Sequence, residues 1–393
     1  MTQPLTRRRF LQGASALGAA VAVGACVDHA GQRPVAATTS TSASPGTNGV
    51  LVVVTLYGGN DALNTVVPVN DPIYRAQRGS LALDPAATHD IGEGYALHPA
   101  LTRCKGLWDA GRLAVVHGVG FPGLDRSHFH CMDVWNAGSE DDTSSGWIGR
   151  WLDAAGTGPI DAIAVGRGVP LLGRGRRRSA AAVPPGPFAL PGDDSLHALL
   201  TRLAADDHGR SPLGDLVASS TADLLSVSST VTPVVASTAP AETLASRLDT
   251  VATMINADLH TRVYAVDLGS FDTHANQAAT HQALLGEVDT ALGSFLDQVG
   301  DRPVTVLVYS EFGRRVVPNA SAGTDHGRAG TVLLAGTVRP GHHGEPPPLD
   351  RLSDGDLTTT VDFRAVYGGV LEGVLGIKAS DVLDRPPAPL LLV

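Results

Sequence analysis

The chain has 393 residues, 43% of them hydrophobic and 17% charged, which suits one large packed domain and excludes bulk disorder. Its formal charge of −10 argues against a basic nucleic-acid surface, so no nucleic-acid partner is expected. Aromatic residues are sparse at 5%, whereas 45 glycines and 26 prolines point to many tight turns between compact elements.

At the N-terminus, Thr6-Arg7-Arg8-Arg9-Phe10-Leu11-Gln12 precedes an apolar Gly/Ala-rich run from Gly13 to Ala25. A charged start and a weakly apolar middle are the pattern of a signal peptide, here residues 1–26. The run is too short to cross ~30 Å of hydrocarbon. Its paired arginines resemble the twin-arginine signal. The expected partner is therefore the twin-arginine export machinery, and the expected destination is the periplasm or outer cell envelope. That route carries folded proteins, which suits a domain loaded with a metal before export. Val23-Gly24-Ala25-Cys26 resembles a lipoprotein cleavage box, so one reading has a lipidated Cys26 tethering the domain to a membrane. Ordinary cleavage nearby is the other reading. Residues 27–48 lack large apolar side chains and read as a flexible linker.

The folded domain is expected over 49–393. Val50–Tyr57 is a continuous β-branched run, the pattern of a strand buried on both faces. Further strands are expected at Leu113–Val119, Ile160–Val165, Val263–Leu268, Val304–Tyr309 and Thr331–Ala335. Helical patterns lie between them at His98–Ala110, His128–Ala137, Leu196–Ala205, Glu242–Leu259, Gln277–Val299 and Asp362–Leu375. This alternation predicts an α/β fold, doubly wound, with a mainly parallel sheet and helices on both faces. Residues 166–240, with an arginine run, a proline cluster and Ser/Thr-rich helical sequence, read as an insertion or cap. Cys104 and Cys131 can pair in an oxidising compartment or stand as small buried hydrophobes on separate helices.

In open α/β sheets the pocket lies beyond the carboxyl ends of the strands. After the first strand, Gly58-Gly59-Asn60-Asp61 offers a sharp bend and a carboxylate. After the second comes Asp125-Arg126-Ser127-His128-Phe129-His130. Ser127 sits where an N-cap belongs, and a helix start that stabilises anions can also activate a Ser nucleophile. Arg126 is placed to clamp a transferred group. Asp272 and His274, two apart in a loop leaving a strand, suit a metal with mixed O and N ligands. Glu311 and Arg314 follow the next strand, and Asp325-His326 stands between glycines before the last. Asp61, Asp272, Glu311 and Asp325 would repel one another if they met unpaired, and a divalent cation relieves that. The candidate metal ligands are thus Asp61, Asp272, His274, Glu311, Asp325 and His326.

The segments Gly58–Asp61, Arg126–Phe129, Gly146–Arg150, Phe271–His274, Ser310–Arg314 and Gly323–Gly327 together resemble the domain of unknown function 1501 family, from residue 50 to about 376. That family looks like a branch of the alkaline phosphatase and sulfatase superfamily. The resemblance implies a doubly wound α/β fold, two divalent cations and a Ser or Thr nucleophile attacking a phosphate or sulfate ester; carboxylate and imidazole ligands accept Zn, Mn, Mg or Ca, and one or two such ions are expected. It matches Asp61 to the first-strand metal Asp, Ser127 to the nucleophile, Asp272 and His274 to a metal pair, and His326 to a late metal His. Where the superfamily has Asp-His directly after a strand, this chain has Glu311-Phe312. Either Glu311 substitutes or Asp325-His326 takes the role.

The expected function is an exported metal-dependent hydrolase of small-molecule or glycan phosphate or sulfate esters, with Ser127, Arg126 and Arg314 as its catalytic residues. The alternative is a non-catalytic cell-envelope protein that keeps the fold and a metal.

Overall fold

The computed structural model describes residues 49–190, 192, 194–205 and 211–393. The expected signal segment, Cys26 and the 27–48 linker lie outside the described residues. The main sheet contains β1 (Val50–Leu56), β2 (Leu113–Gly120), β3 (Ala162–Val165), β4 (Ala181–Val183), β5 (Val263–Leu268), β6 (Val304–Tyr309), β7 (Gly330–Gly336), β8 (Gly341–His343) and β9 (Val361–Asp362). Its order is β8-β2-β7-β6-β1-β5-β3-β4, with β9 also paired to β2. β1 runs parallel to β5 and β6, β3 parallel to β4 and β5, and β8 and β9 parallel to β2. β7 runs antiparallel to both of its neighbours, β2 and β6.

The helices are α1 (Thr102–Asp109), α2 (His128–Ala137), α3 (Trp147–Ala155), α4 (Asp194–Ala205), α5 (Pro212–Val235), α6 (Leu244–Asn256), α7 (Gln277–Val299) and α8 (Phe363–Val370). The alternation along β1 shows why the sheet is covered twice. Val52, Val54 and Leu56 pack into one core with α5, α6 and α7, while Leu51 and Val53 pack into a second with α2, α3 and α8. Leu51 to Val54 are fully buried, and each such side chain contributes roughly 1.5–3 kcal/mol. The fold is α/β with a mainly parallel sheet between two helical layers.

The segment 166–240 contributes edge strand β4, which pairs with β3, and helix α5, whose Val227, Val231 and Val235 lie in the first core. Cys104 belongs to one core and Cys131 to the other; both are free and buried. They are therefore packing residues, one in each layer. Among the described residues, no helix is long and apolar enough to cross a membrane.

Candidate metal centre

Five loops meet at one edge of the sheet. β1 leads into Gly58–Asp61, β2 into Asp125–His128, β5 into Gly269–His274 and β6 into Ser310–Arg314. Because β7 is antiparallel, its entry at Gly323–Gly327 arrives at the edge where those strands leave. Close approach depends on glycine. Gly58 has φ +120°, and a Cβ there would lie 2.4 Å from the Asp272 amide nitrogen. A Cβ on Gly323 would lie 2.2 Å from the His274 carbonyl carbon.

The meeting point is Asp272 Oδ1. The Nε2 atoms of His274, His326 and His128 lie 3.0, 3.2 and 3.5 Å from it. His274 Nε2 and His326 Nε2 are 2.9 Å apart. Ligand atoms of His128, Asp272 and His326 all fall within 4.8 Å of one another.

The far nitrogens reveal where the protons are. His128 Nδ1 is 2.7 Å from Glu311 Oε1, His274 Nδ1 is 3.2 Å from Asp325 Oδ1, and His326 Nδ1 is 2.8 Å from the Arg126 carbonyl oxygen. A carbonyl or an ionised carboxylate can only accept, so each Nδ1 carries the hydrogen. In neutral imidazoles the three Nε2 atoms then hold lone pairs. Three lone pairs converge on a carboxylate oxygen whose hydrogen-bond donor is Arg314, at 2.6 Å, and His128 Nε2 is buried without a hydrogen-bond partner. Such a group is repulsive until a cation lies within it. Imidazole nitrogens plus a carboxylate form a suitable donor set for a divalent ion. The Nδ1–H···O partners are the arrangement that orients metal-binding histidines.

Electrostatics keep the carboxylates ionised. Burial pushes the Asp272 carboxyl up, but the Arg314 hydrogen bond and charge outweigh it and hold the pKa at about 2. Burial likewise pushes Glu311 up, and bonds from His128, Ser310 and Gly58 bring it below the usual range. The bond to Glu311 raises His128, while burial lowers His326. The Asn319 bond lowers Asp325.

Residues 117–366 match the model of a family described as protein of unknown function (DUF1501). The chain belongs to that family. No curated protein matches it. Three solved structures show a distant likeness to this DUF1501 chain. The C-terminal periplasmic domain of EcEptC from Escherichia coli, in complex with Zn, is 8% identical with a TM-score of 0.38, over 72% of each chain. The lipoteichoic acid synthase LtaP from Listeria monocytogenes is 10% identical with a TM-score of 0.37, over 86% of this chain and 74% of that one. A protein in the alkaline phosphatase superfamily from Vibrio parahaemolyticus is 9% identical with a TM-score of 0.38, over 88% and 69%.

Of the candidate ligands in this DUF1501 chain, Asp272, His274 and His326 come together directly. Glu311 and Asp325 stand one shell behind, holding His128 and His274. Asp61 lies in a separate buried network: Oδ2 accepts from Arg78 and Gln277, and Oδ1 is buried without a partner. Arg78 arrives from the short helix Pro72–Arg78 and also donates to the carbonyls of Arg315 and Val316.

The two arginines are also committed. The buried Arg314 guanidinium donates to the carbonyls of Gly58, Gly59, Phe271 and Thr324, and at 2.6 Å to Asp272 Oδ1. It positions the central carboxylate. Arg126 has φ +65° and pairs with Asp354 and Asp356, while its carbonyl accepts from His326. Ser127 is the N-cap of α2, accepting from the His130 amide at 3.5 Å.

His128 was not among the candidate ligands. It occupies the first helical position after Ser127, inside a segment already singled out for its Ser and Arg. The available signal was a third imidazole at a strand exit.

Proposed function

We propose that this chain is an exported metal-dependent hydrolase of phosphate or sulfate esters. The observation that carries the reading is the convergence of three imidazole Nε2 atoms on Asp272 Oδ1, beside the start of α2. His128, His274, His326 and Asp272 would hold one divalent ion, and three nitrogen donors favour zinc over magnesium or calcium. Such an ion supplies Lewis acidity toward an ester oxygen and lowers the pKa of a nearby hydroxyl.

The residues of the chain have separate tasks in this reading. Ser127 is the nucleophile. Its capping bond, at 3.5 Å, is at the outer limit of a hydrogen bond and leaves the hydroxyl loosely held. The free first amides of α2 favour negative charge building up beside it. Glu311, Asp325 and the Arg126 carbonyl hold the three imidazoles in one tautomer, and Arg314 keeps Asp272 ionised. The expected twin-arginine signal supports export to the periplasm or outer envelope, with lipidation of Cys26 as one of its two readings. The substrate is a small-molecule or glycan ester.

One observation favours a second reading, a non-catalytic envelope protein that retains the metal. Arg126 and Arg314, the side chains expected to clamp the transferred group, are both engaged elsewhere. The test is to load the purified protein with zinc or manganese, then assay it on aryl phosphate and aryl sulfate beside Ser127→Ala and His326→Ala. Turnover abolished in both variants, with metal still bound by Ser127→Ala, supports the hydrolase. Bound metal with no turnover supports the second reading, and no metal uptake overturns both.

A further inference from the structure

A cleft of about 470 Å³ reaches the cluster at His128 and Asp272. Gly58, His128, Asp272 and Glu311 line its polar part. Phe129, Met132, Pro170 and Leu171 form an apolar wall beside it. Phe129 is the second residue of α2, directly after the clustered His128, so a helix backbone fixes the ring relative to the centre. That ring is 87% exposed, the largest exposure among the exposed large hydrophobic residues of the described part. A phenyl group left in water forgoes stabilisation that burial would give, and single exposed apolar residues need no explanation on their own. Here the ring stands at the mouth of a polar cluster and continues an apolar wall. The other side chains of the cleft are Tyr57, Asp133 and Asn136, and neither Lys nor Arg lines it.

The wall thus offers a flat apolar face beside hydroxyl, amide and carboxylate groups. We infer that this cleft is the specificity subsite for the organic part of the ester, and that it selects an uncharged ring, aryl or pyranose, which stacks on Phe129. The inference rests on the hydrolase reading, because that reading places the ester group at the metal centre. Short alkyl groups reach the metal centre but leave the wall uncovered. A ring covers Phe129 and the apolar atoms of Met132 and Leu171, and aromatic stacking adds to the burial. A pyranose would in addition use Asp133 and Asn136 as hydrogen-bond acceptors for its hydroxyls.

The test uses three non-hydrolysable probes on the zinc-loaded full chain: methylphosphonate, phenylphosphonate and the phosphonate analogue of glucose 6-phosphate. Dissociation constants are measured by calorimetry, and zinc content is measured separately. The expected result is that at least one ring probe binds about tenfold or more tighter than methylphosphonate. Which ring wins separates the aryl source from the sugar source. Phe129→Ala should erase the preference without changing methylphosphonate binding or zinc content, and Phe129→Tyr should retain it. Equal binding of all three probes, binding of none, or a preference that survives Phe129→Ala overturns the subsite. The zinc content decides independently: a zinc-replete protein without ring preference leaves the metal centre standing, and a zinc-free one removes it.

Discussion

His117 and His342 sit as close together as His274 and His326 do, 2.9 Å between ring nitrogens in both cases. The two pairs differ in where their hydrogens go. His342 Nε2 is 3.2 Å from the Ile91 carbonyl and must donate to it, so its Nδ1 is a lone pair and His117 Nε2 donates to that. Each hydrogen in this chain has one acceptor, and the rings stack with centroids 5.1 Å apart. The pair is complete as two neutral imidazoles, and burial holds the His117 pKa at about 3. In the other cluster every Nδ1 hydrogen is committed outward, and the inner nitrogens face one another bare. Proximity of histidines is therefore a poor sign of a metal site; the acceptors on their far nitrogens decide.

The sharpest way to break this contrast is to remove one imidazole from each cluster. His326→Ala should weaken zinc binding by more than the ~10–100-fold that outer-shell changes cost, while His117→Gln should leave zinc binding unchanged. Equilibrium titration with a competing chelator reads both. Equal losses would mean that the proton accounting is wrong.

Glu311→Gln should weaken zinc binding by about 10–100-fold, because an amide oxygen still accepts from His128 Nδ1 but without the charge. The same titration measures it.

The neutral pair should be visible in the acid dependence of stability. The folded pKa of His117 is depressed to about 3, so the unfolded chain binds more protons between the usual histidine pKa and that value. Stability from this group is present above pH ~6.5 and is lost as pH falls toward 3. Between pH 7 and pH 5 the loss should be about 2 kcal/mol for His117. Denaturant unfolding of metal-free protein should show that pH dependence flattened by a similar amount in His117→Gln.

The smallest expected effect is in Asp325→Asn. Asp325 is more than half exposed and an amide can still accept from His274, so zinc binding should weaken by only a factor of a few. A loss as large as that of Glu311→Gln would show that Asp325 is itself a ligand.

Much of the sheet was legible because β-branched runs such as Val263–Leu268 and Val304–Tyr309 have no competing reading, and both strands form over those residues. The short strands Ala181–Val183, Gly341–His343 and Val361–Asp362 were not, since two or three residues carry no period. The strand-exit rule put Asp272 and His274 in one loop, and His326 meets them there because β7 runs antiparallel. It could not rank carboxylates by depth. Asp61 leaves a strand as Asp272 does, but its partners Arg78 and Gln277 lie 17 and 216 residues away. Nothing local announces that pairing. For the same reason Arg314 read as a substrate clamp, although four backbone carbonyls and Asp272 consume its donors. His128 escaped notice because its role depends on Glu311, 183 residues on.

The central claim is that one divalent ion binds among the inner nitrogens of His128, His274 and His326 with Asp272. A crystal structure of the zinc-loaded protein, with zinc located by anomalous scattering, tests it most directly. The account expects one strong peak within about 2.0–2.2 Å of those three Nε2 atoms and Asp272 Oδ1. Zinc bound instead at Asp61 or at the His117–His342 pair, or no peak at this sheet edge, would contradict it.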